Sequence, residues 1–255
     1  MHILVTNDDG VNAPGLLALA QAMRALGSVS VLAPDRNWSA SGHVKTLDRP
    51  MRVKHAVLAD GTTALASDGA PSDCVALAVL GLIEAPIDLV ISGINGGINV
   101  GHDLTYSGTV TAAMEGAIAG LPSVAVSLDV PPTLEGALDY GPAAAAAQKV
   151  AANVLEHGLP AGILLNVNVP YLPAQQIRGV QVTRQGLRIY RDALVRRKDP
   201  RGRDYYWIGG DAPDGLPEDG TDIGALRGGY ISVTPVHLDL TAHKLLSDLR
   251  GWEWA

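Results

Sequence analysis

Cysteine is almost absent from this chain, since Cys74 is the only one among 255 residues. One thiol cannot form an intramolecular disulfide or supply the several thiolates of a structural zinc site, so both are excluded. Its place within a helical pattern predicts a small core residue. Phenylalanine is missing altogether and aromatic residues make up only 4%. The core must therefore be built from Ala, Val, Leu and Ile.

Basic residues are also in deficit, with 19 Lys plus Arg against 26 Asp plus Glu, a formal net charge of −7. This balance argues against a general affinity for nucleic-acid polymers. The longest clearly apolar run, 75–83, is too short to span a bilayer. The opening residues MHILVTNDDG have neither the basic nor the apolar region of a signal peptide. We therefore expect a soluble, cytoplasmic protein with no membrane partner.

Short apolar runs alternate with helical patterns along most of the chain. Nearly continuous apolar strands that alternate with helices indicate an α/β fold, with a mostly parallel sheet covered by helices on both faces. The sequence predicts strands at 2–6, 29–33, 88–92, 124–128 and 162–169, and helices at 14–26, 71–83, 110–119 and 142–157.

The character of the sequence changes near residue 178. Nine of the nineteen basic residues fall within 178–203, and Gly and Pro then recur up to residue 229. The patterns predict a projecting hairpin with strands at 181–190 and 204–208, a strand at 230–236 and a closing helix at 241–250. The basic cluster at 184–203 favours a solvated hairpin or a subunit contact over a site that guides phosphates.

This change divides the chain into two predicted regions. Residues 1–177 form the α/β core domain, which would carry the functional site. Residues 178–255 comprise the hairpin, the final strand and the C-terminal helix, and we expect them to mediate oligomerisation, because two tryptophans close to the C-terminus favour an interface.

Polar residues follow three of the predicted strands. Asn7-Asp8-Asp9-Gly10 follows the first strand, a segment containing Ser39 follows the second, and the glycine-rich segment 93–99 follows the strand at 88–92. In an open parallel sheet such segments meet beyond the carboxyl ends of the strands. Together they supply carboxylates, hydroxyls and amides, a set of oxygen donors that suits Mg²⁺, Mn²⁺ or Ca²⁺ better than zinc.

The adjacent carboxylates Asp8 and Asp9 are the sharpest single feature. In a continuing strand they would point to opposite faces, but a turn through Gly10 lets both converge on one cation. The alternative is that one caps the following helix while the other is solvated, although Asn12 competes for the cap ahead of Pro14.

Residues 106–111 precede a predicted helix and offer hydroxyls and exposed amides around a glycine. Ser107, Gly108 and Thr109 are thus candidates for an anion site at the helix N-terminus. Ordinary N-capping by Ser107 or Thr109 is the competing interpretation. The glycines at 93, 96, 97 and 101 match neither the dinucleotide fingerprint nor a P-loop.

The histidines give weaker signals. His102, beside Asp103 and close to the glycine-rich segment, is the best histidine candidate for a place in the pocket. His237 and His243 are more typical of structural residues.

The same segments resemble the SurE family of stationary-phase survival proteins, which are metal-dependent nucleoside-monophosphate phosphatases. NDDG, SGIN and YSGTV are highly specific as a set, and the matching blocks run in family order along nearly the whole chain. These blocks are ILVTNDDGVNAPG (3–15), APDRNWSASGH (33–43), SGINGGINVGHDLTYSGTVTAAMEG (92–116), PSVAVSL (122–128) and TPVHLDLTAH (234–243).

The resemblance implies a Rossmann-like sheet domain with a C-terminal segment exchanged between the subunits of a homodimer or homotetramer. It implies hydrolysis of nucleoside 5′- and 3′-monophosphates, and in some members of short polyphosphate. One divalent ion per subunit, Mg²⁺ or Mn²⁺ with Ca²⁺ possible in a crystal, would be bound by Asp8, Asp9, Ser39 and Asn95. Phosphate would bind at Ser107, Gly108 and Thr109, and the substrate also at Asn95 and Gly96.

The resemblance is compatible with three roles for Asp8, which could be the nucleophile, the base or only a metal ligand. Two other functions also remain open from the residues alone. One is a nucleotide-sugar transferase, in which two acidic residues hold a metal-diphosphate, and the other is a protein that binds nucleotide without turnover.

Overall fold

The computed structural model describes residues 1–254, apart from the side chain of Ala212. The strands are β1 (His2–Thr6), β2 (Ser28–Pro34), β3 (Val53–Val57), β4 (Thr63–Ser67), β5 (Leu89–Asn95), β6 (Ser123–Asp129), β7 (Ile163–Pro170), β8 (Val180–Val182), β9 (Arg188–Lys198), β10 (Asp204–Gly215) and β11 (Ile231–His237). The α-helices are α1 (Pro14–Met23), α2 (Pro71–Leu77), α3 (Gly108–Ile118), α4 (Gly141–His157), α5 (Asp222–Arg227) and α6 (Leu246–Arg250).

Nine strands form one sheet in the order β3-β4-β2-β1-β5-β6-β7-β11-β8. Strands β4, β2, β1, β5, β6 and β7 pair in parallel, and β8 is parallel to β11. Strands β3 and β11 are antiparallel to β4 and β7. The predicted α/β class with a mostly parallel sheet is confirmed. Strands β9 and β10 form a separate antiparallel hairpin, which confirms the projecting hairpin.

Alternation along the central strands sorts their side chains between two helical layers. In β1, Ile3 and Val5 belong to the cluster that contains Leu16 of α1 and Ala147 of α4. Leu4, between them, belongs to the cluster that contains Cys74 of α2. Since successive strand residues point to opposite faces, α1 and α4 cover one face of the sheet and α2 and α3 the other. Cys74 is fully buried, as its pattern predicted.

The core strands and helices lie close to their predicted positions. The predicted helix at 14–26 ends at Met23, and the predicted helix at 71–83 leaves the α-helical form after Leu77 and continues as a π-helical turn, Ala78–Leu82. The suggested cap of α1 by Asn12 is wrong, because the residue at the N-cap is Ala13 and no side chain caps the helix. Proline at the first position suits a helix start without a donor.

The C-terminal region departs further from the prediction. The predicted strand at 181–190 is wrong in extent: Gln181 and Val182 pair with β11 in the main sheet, and the hairpin strand begins only at Arg188. The predicted helix at 241–250 is a 3₁₀ turn, His243–Leu245, followed by the short helix α6. The division of the chain into two regions at residue 177 remains a prediction. Strands β8 and β11, which follow residue 177, belong to the same sheet as the strands that precede it.

No helix within residues 1–254 combines the length and the apolar character needed to cross a bilayer.

Candidate metal and phosphate site

Asp8 lies where two elements meet, the end of β1 and the beginning of α3. Its side chain is 3% exposed, and the hydroxyl of Thr109 donates a hydrogen bond to its Oδ1. The backbone N–H of Thr109 also donates to this carboxylate. That N–H belongs to the first turn of α3, where backbone donors lack partners within the helix. The Asp8 carboxylate therefore lies at the positive end of α3.

This close approach of strand end and helix requires glycine at position 108. A Cβ on Gly108 would lie 2.7 Å from the Cβ of Asp8 and 3.0 Å from its Oδ2. The preceding residue, Ser107, is the N-cap of α3, and its side chain accepts a hydrogen bond from the backbone N–H of Val110 at 3.2 Å. The segment SGT thus brings the helix start against the carboxylate, and capping accounts for only one of its two hydroxyls.

Asp9 points into a different environment from its neighbour. It is half-buried, its Oδ1 accepts a hydrogen bond from Nδ2 of Asn37 at 3.3 Å, and its carboxylate accepts one from the N–H of Gly96. Asn37 in turn accepts a hydrogen bond from the N–H of Ser39 at 2.7 Å. Asp9 therefore joins the loops that follow β2 and β5, on either side of β1.

A pocket of about 200 Å³ opens at this edge of the sheet. Asn95 lies on its wall, and the Nδ2 of Asn95 donates to the carbonyl oxygen of Gly97 at 2.6 Å, which leaves its Oδ1 as the free acceptor. The structure brings together four of the predicted site residues here, whereas Asp9, Gly96, Gly108 and Thr109 lie outside the lining. The lining residues are Asp8, Ser39, Ala40, Asn95, Ile98, Asn99, Asp103, Tyr106 and Ser107.

The electrostatics of the aspartate pair are unfavourable without a cation. Burial raises the pKa of Asp8, and hydrogen bonds from Thr109 oppose that rise. Burial, followed by the charge of Asp8, raises the pKa of Asp9 to about 6. Among the described residues that line the pocket, none is Lys or Arg. A divalent cation would relieve both the repulsion and the cost of burying charge.

The donor chemistry fits a hard cation. Within residues 1–254, no three His, Cys, Asp or Glu side chains are grouped so that they could hold a metal ion. A metal at this edge would therefore depend on the two aspartates together with the hydroxyl of Ser39 and the amide oxygen of Asn95. Oxygen donors of this kind are typical of Mg²⁺ and Mn²⁺ sites.

Buried asparagines support the glycine-rich loop from beneath, a feature that was not predicted from the sequence. Asn166 and Asn168 of β7 both donate to the carbonyl oxygen of Asn99, at 2.8 and 2.9 Å. The N–H of Asn99 donates back to Oδ1 of Asn168 at 2.9 Å, and its Nδ2 donates to Ser127 at 2.7 Å. The signal for this network was present, since two asparagines two positions apart in an apolar strand share one face.

Glu115 of α3 is another residue that was not predicted from the sequence. It is largely buried, and its Oε1 accepts a hydrogen bond from Lys45 at 2.9 Å, while Oε2 lies 3.0 Å from Nε2 of His43. Both partners follow Ser39 in the same loop. The sequence signal for Glu115 is a single glutamate on the buried face of an otherwise largely apolar helix, because a buried glutamate is nearly always paired.

The hairpin contacts a residue of the pocket wall. Asp103 lies on the pocket wall and receives a hydrogen bond from the hydroxyl of Tyr190, and its Oδ2 lies 3.0 Å from Nε of Arg188. His102, the predicted histidine candidate, is exposed and does not line the pocket. His237 ends β11 and His243 pairs with Asp239 near the C-terminus, so both lie outside the pocket lining.

Comparison with known proteins decides the family. The sequence profile described as "Survival protein SurE" matches residues 3–192. The chain belongs to the SurE family. This confirms the resemblance that the NDDG, SGIN and YSGTV segments indicated.

Full-length SurE relatives carry an enzyme name. The chain is 52% identical over 254 residues to a protein of Chloroflexus aggregans named "5'-nucleotidase SurE", covering 100% of both chains. It is 56% identical over 241 residues to a protein of the same name from Herpetosiphon aurantiacus, covering 94% of each. A crystal structure of the SurE protein from Aquifex aeolicus has a TM-score of 0.82 and 40% identity, with 98% of both chains covered.

Proposed function

We propose that this SurE protein is a divalent-metal-dependent phosphomonoesterase that hydrolyses nucleoside 5′-monophosphates to nucleoside and phosphate. The main support for this function is the position of Asp8. Its buried carboxylate lies at the N-terminus of α3 and shares one pocket with Ser39, Asn95 and Ser107. The name 5′-nucleotidase of relatives at about half identity over the full length supports the same reaction.

Asp8, Asp9, Ser39 and Asn95 would hold one divalent ion, Mg²⁺ or Mn²⁺. Such an ion, when bound, supplies a positive charge that binds a phosphoryl oxygen and lowers the pKa of a bound water. The hydroxyl of Thr109 donates to Oδ1 of Asp8, and the remaining lone pairs of the carboxylate would serve the ion or the reacting water. Asp9, joined to the loops on both sides, would keep the second carboxylate in place.

The beginning of α3 supplies the other half of the site. The N–H of Gly108, in the first turn, and the hydroxyl of Ser107 would donate to the phosphate oxygens, with Asn95 and the N–H of Gly96 placed to contact the substrate. Since the hydroxyl of Thr109 is engaged with Asp8 and fully buried, its contribution to phosphate binding would act through that carboxylate. Asp8 would be the ligand, the base or the nucleophile of the reaction.

The proposal includes 3′-monophosphates and short polyphosphate as further substrates, because a site built around one phosphoryl group makes few demands on the leaving group. It also includes a homodimer or homotetramer. Exposed apolar side chains on the hairpin support an assembled state, among them Leu194 at 72%, Trp207 at 65% and Ile208 at 84% exposure. A single, buried cysteine accords with a cytoplasmic location.

Released phosphate tests the proposal directly. The protein is stripped with a chelator and assayed with AMP, 3′-AMP, tripolyphosphate and a nucleotide sugar, each with Mg²⁺, Mn²⁺, Ca²⁺ or no metal. We expect phosphate from AMP only with added metal. Turnover of the nucleotide sugar alone would favour a transferase, and AMP binding without turnover under every metal would favour a binding protein. Either result would overturn the proposal.

A further inference from the structure

Asp222, the first residue of α5, is a fully buried carboxylate that lies outside the lining of the metal and phosphate pocket. Its Oδ2 accepts a hydrogen bond from the backbone N–H of Gly101 at 2.9 Å. Its Oδ1 accepts from the N–H groups of Gly186 at 2.7 Å and of Ile223 at 2.8 Å. Hydrogen bonds to an ionised acceptor are about twice as strong as those between neutral groups. Asp222 therefore ties together the loop that follows β5, the segment that leads into the hairpin, and α5.

The contact at Gly101 is too close to allow a side chain. Gly101 has a φ of +53°, in the left-handed region that glycine adopts without strain. A Cβ there would lie 2.7 Å from the carbonyl oxygen of Gly186 and 3.2 Å from the Cβ of Arg188. The carbonyl oxygen of Gly101 accepts a further hydrogen bond from Nε2 of Gln185 at 3.2 Å. Both backbone groups of Gly101 are thus paired, its N–H with Asp222 and its carbonyl with the segment before the hairpin.

Gly101 begins the turn that leads to α3 and to the proposed phosphate site. Residues 101–105 form this 3₁₀ turn. The carbonyl oxygen of Asp103, within the turn, accepts hydrogen bonds from the N–H groups of Tyr106 and Ser107 at 3.0 and 3.1 Å. Ser107 in turn caps α3 and lines the pocket. A displaced turn would therefore carry the hydroxyl of Ser107 away from its present position.

A second group of contacts holds the side chain of Asp103. Its Oδ2 lies 3.0 Å from Nε of Arg188, and its Oδ1 accepts a hydrogen bond from the hydroxyl of Tyr190. Both partners are partly exposed, whereas the carboxylate of Asp222 is fully buried. A hydrogen bond in the protein interior is electrostatically stronger than one that faces water. We therefore expect the turn to depend more on Asp222 than on the hairpin side chains.

We propose that Asp222 is a positioning residue for the phosphate site, which fixes the turn 101–105 and through it the hydroxyl of Ser107. The inference rests on the proposed nucleotidase function, in which Ser107 donates to the phosphate of the substrate. It adds to that function a residue 121 positions beyond Gly101 that acts without touching the substrate.

Asp222→Asn tests this role, because asparagine keeps the volume of the side chain and one of its two acceptor oxygens. The amide oxygen can retain the N–H groups of Gly186 and Ile223, which already share one oxygen of the carboxylate. The amide nitrogen then faces the N–H of Gly101. That N–H loses its acceptor, so the substitution acts on the turn in particular.

The matched control is Thr221→Val, at the buried N-cap of α5. The hydroxyl of Thr221 accepts a hydrogen bond from the N–H of Gly224 at 3.0 Å and donates to the carbonyl oxygen of Glu218 at 2.6 Å. Its removal destabilises the start of α5 while the bond between Asp222 and Gly101 stays in place. This variant therefore shows what a loss of stability does by itself.

Hydrogen exchange followed by mass spectrometry examines the turn without substrate or metal. We expect residues 101–107 to exchange at least about fivefold faster in Asp222→Asn than in wild type, and at the wild-type rate in Thr221→Val.

Binding and kinetics examine the phosphate site. Inorganic phosphate is titrated calorimetrically into each protein with Mg²⁺ present, and AMP hydrolysis is measured beside it. In Asp222→Asn, the dissociation constant of phosphate and the KM for AMP should both rise about fivefold or more, while kcat changes less than about twofold. The Mg²⁺ concentration for half-maximal activity should stay the same, because no proposed metal ligand belongs to the turn. Thr221→Val should match wild type in all four quantities.

Wild-type exchange of the turn in a folded Asp222→Asn protein would overturn the inference. Faster exchange with wild-type KM and phosphate binding would do the same, as would an equal rise of KM in Thr221→Val. If Asp222→Asn does not fold, Gly186→Ala carries the same expectations, since its Cβ would lie 2.8 Å from Oδ1 of Asp222 and displace the carboxylate. A wild type that neither binds phosphate nor releases it from AMP would overturn the nucleotidase function, and the exchange of the turn would still decide whether Asp222 fixes it.

Discussion

At the scale of residues, two adjacent aspartates acquire different surroundings. Asp8 is buried against Thr109, whereas Asp9 is half-buried and hydrogen-bonded to Asn37 and Gly96. The sequence predicted the pair and its place beyond a parallel strand, because both follow from local pattern. It could not predict the contact between Asp8 and Thr109, since they are 101 residues apart and meet only through the packing of β1 and α3.

Thr109→Val tests that contact. Valine keeps the shape of threonine and removes the hydroxyl that donates to Asp8. Leaving a buried acceptor with one partner fewer costs about 1 to 3 kcal/mol, so the protein should remain folded at 25 °C. We expect kcat/KM for AMP to fall about tenfold or more.

The matched control for Thr109→Val is Thr63→Val, an exposed position at the start of β4. It should leave both the melting temperature and the hydrolysis of AMP unchanged. Wild-type kinetics in a folded Thr109→Val protein would show that this hydroxyl matters only to the fold.

The raised pKa of Asp9 predicts a pH dependence of stability in the metal-free protein. Its folded pKa is about 6, above the value of about 3.9 in an unfolded chain, so the folded state binds the proton more tightly. The contribution of Asp9 to the free energy of unfolding is fully present below about pH 4 and is lost as the pH rises through 6. Discounted for partial exposure, the loss is on the order of 1 kcal/mol.

Urea unfolding in chelator at pH 5 and pH 7.5 measures this effect. We expect the free energy of unfolding at pH 5, relative to that at pH 7.5, to be higher in wild type than in Asp9→Asn, which lacks the titrating group. Added Mg²⁺ or Mn²⁺ should remove the contribution by holding Asp9 ionised. An identical pH profile for wild type and Asp9→Asn would contradict the assigned environment.

At the scale of elements, the buried strands and long helices were predictable and the edges were not. Strands β1, β5 and β6 are buried and largely apolar, so sequence alone places them within a few residues. Strands β3 and β4 were not predicted, and β3 is largely exposed, with no apolar run to mark it. The hairpin was misplaced because the pairing of Val182 with Val233 of β11 depends on a contact across 51 positions that no local pattern encodes.

Glu115→Gln tests whether α3 positions the loop that carries Ser39. The variant keeps the volume and an acceptor but removes the negative charge that pairs with Lys45. We expect a stability loss of about 1 kcal/mol. If the loop loosens, the Mn²⁺ concentration for half-maximal activity should rise several-fold while kcat at saturating metal changes little.

Asp60→Asn is the matched control, because Asp60 pairs with Arg24 in an ion pair away from the pocket lining. A role confined to the fold would lower the stability of Glu115→Gln without changing its metal requirement. That outcome would rule out a positioning role for Glu115.

At the scale of the whole molecule, the C-terminal segment is nearly all exposed. Trp252 and Trp254 stack with ring centroids 5.5 Å apart, yet they are 60% and 71% exposed. Side chains of this size are enriched at interfaces, which favours a subunit contact or an exchanged segment. Any deletion must begin after β11, because that strand lies between β7 and β8 in the sheet.

Deletion of residues 241–255 should therefore reduce the oligomeric state while leaving the sheet intact. Light scattering after size-exclusion chromatography measures the mass, and circular dichroism follows the fold. We expect wild type to have the mass of a dimer or a tetramer, and the truncated protein to have a smaller one. An unchanged mass in a folded truncated protein would exclude this segment as the contact.

The central claim is that Asp8 and Asp9 bind the metal on which hydrolysis depends. Melting is measured for wild type and Asp9→Asn, with chelator and with Mn²⁺, beside phosphate release from AMP. A metal that binds only the folded protein, at a hundredfold excess over its dissociation constant, would stabilise the wild type by about 2.7 kcal/mol. We expect that stabilisation in wild type alone, and turnover to be abolished in a folded Asp9→Asn protein. Retained turnover in Asp9→Asn, together with the wild-type metal response, would contradict the account.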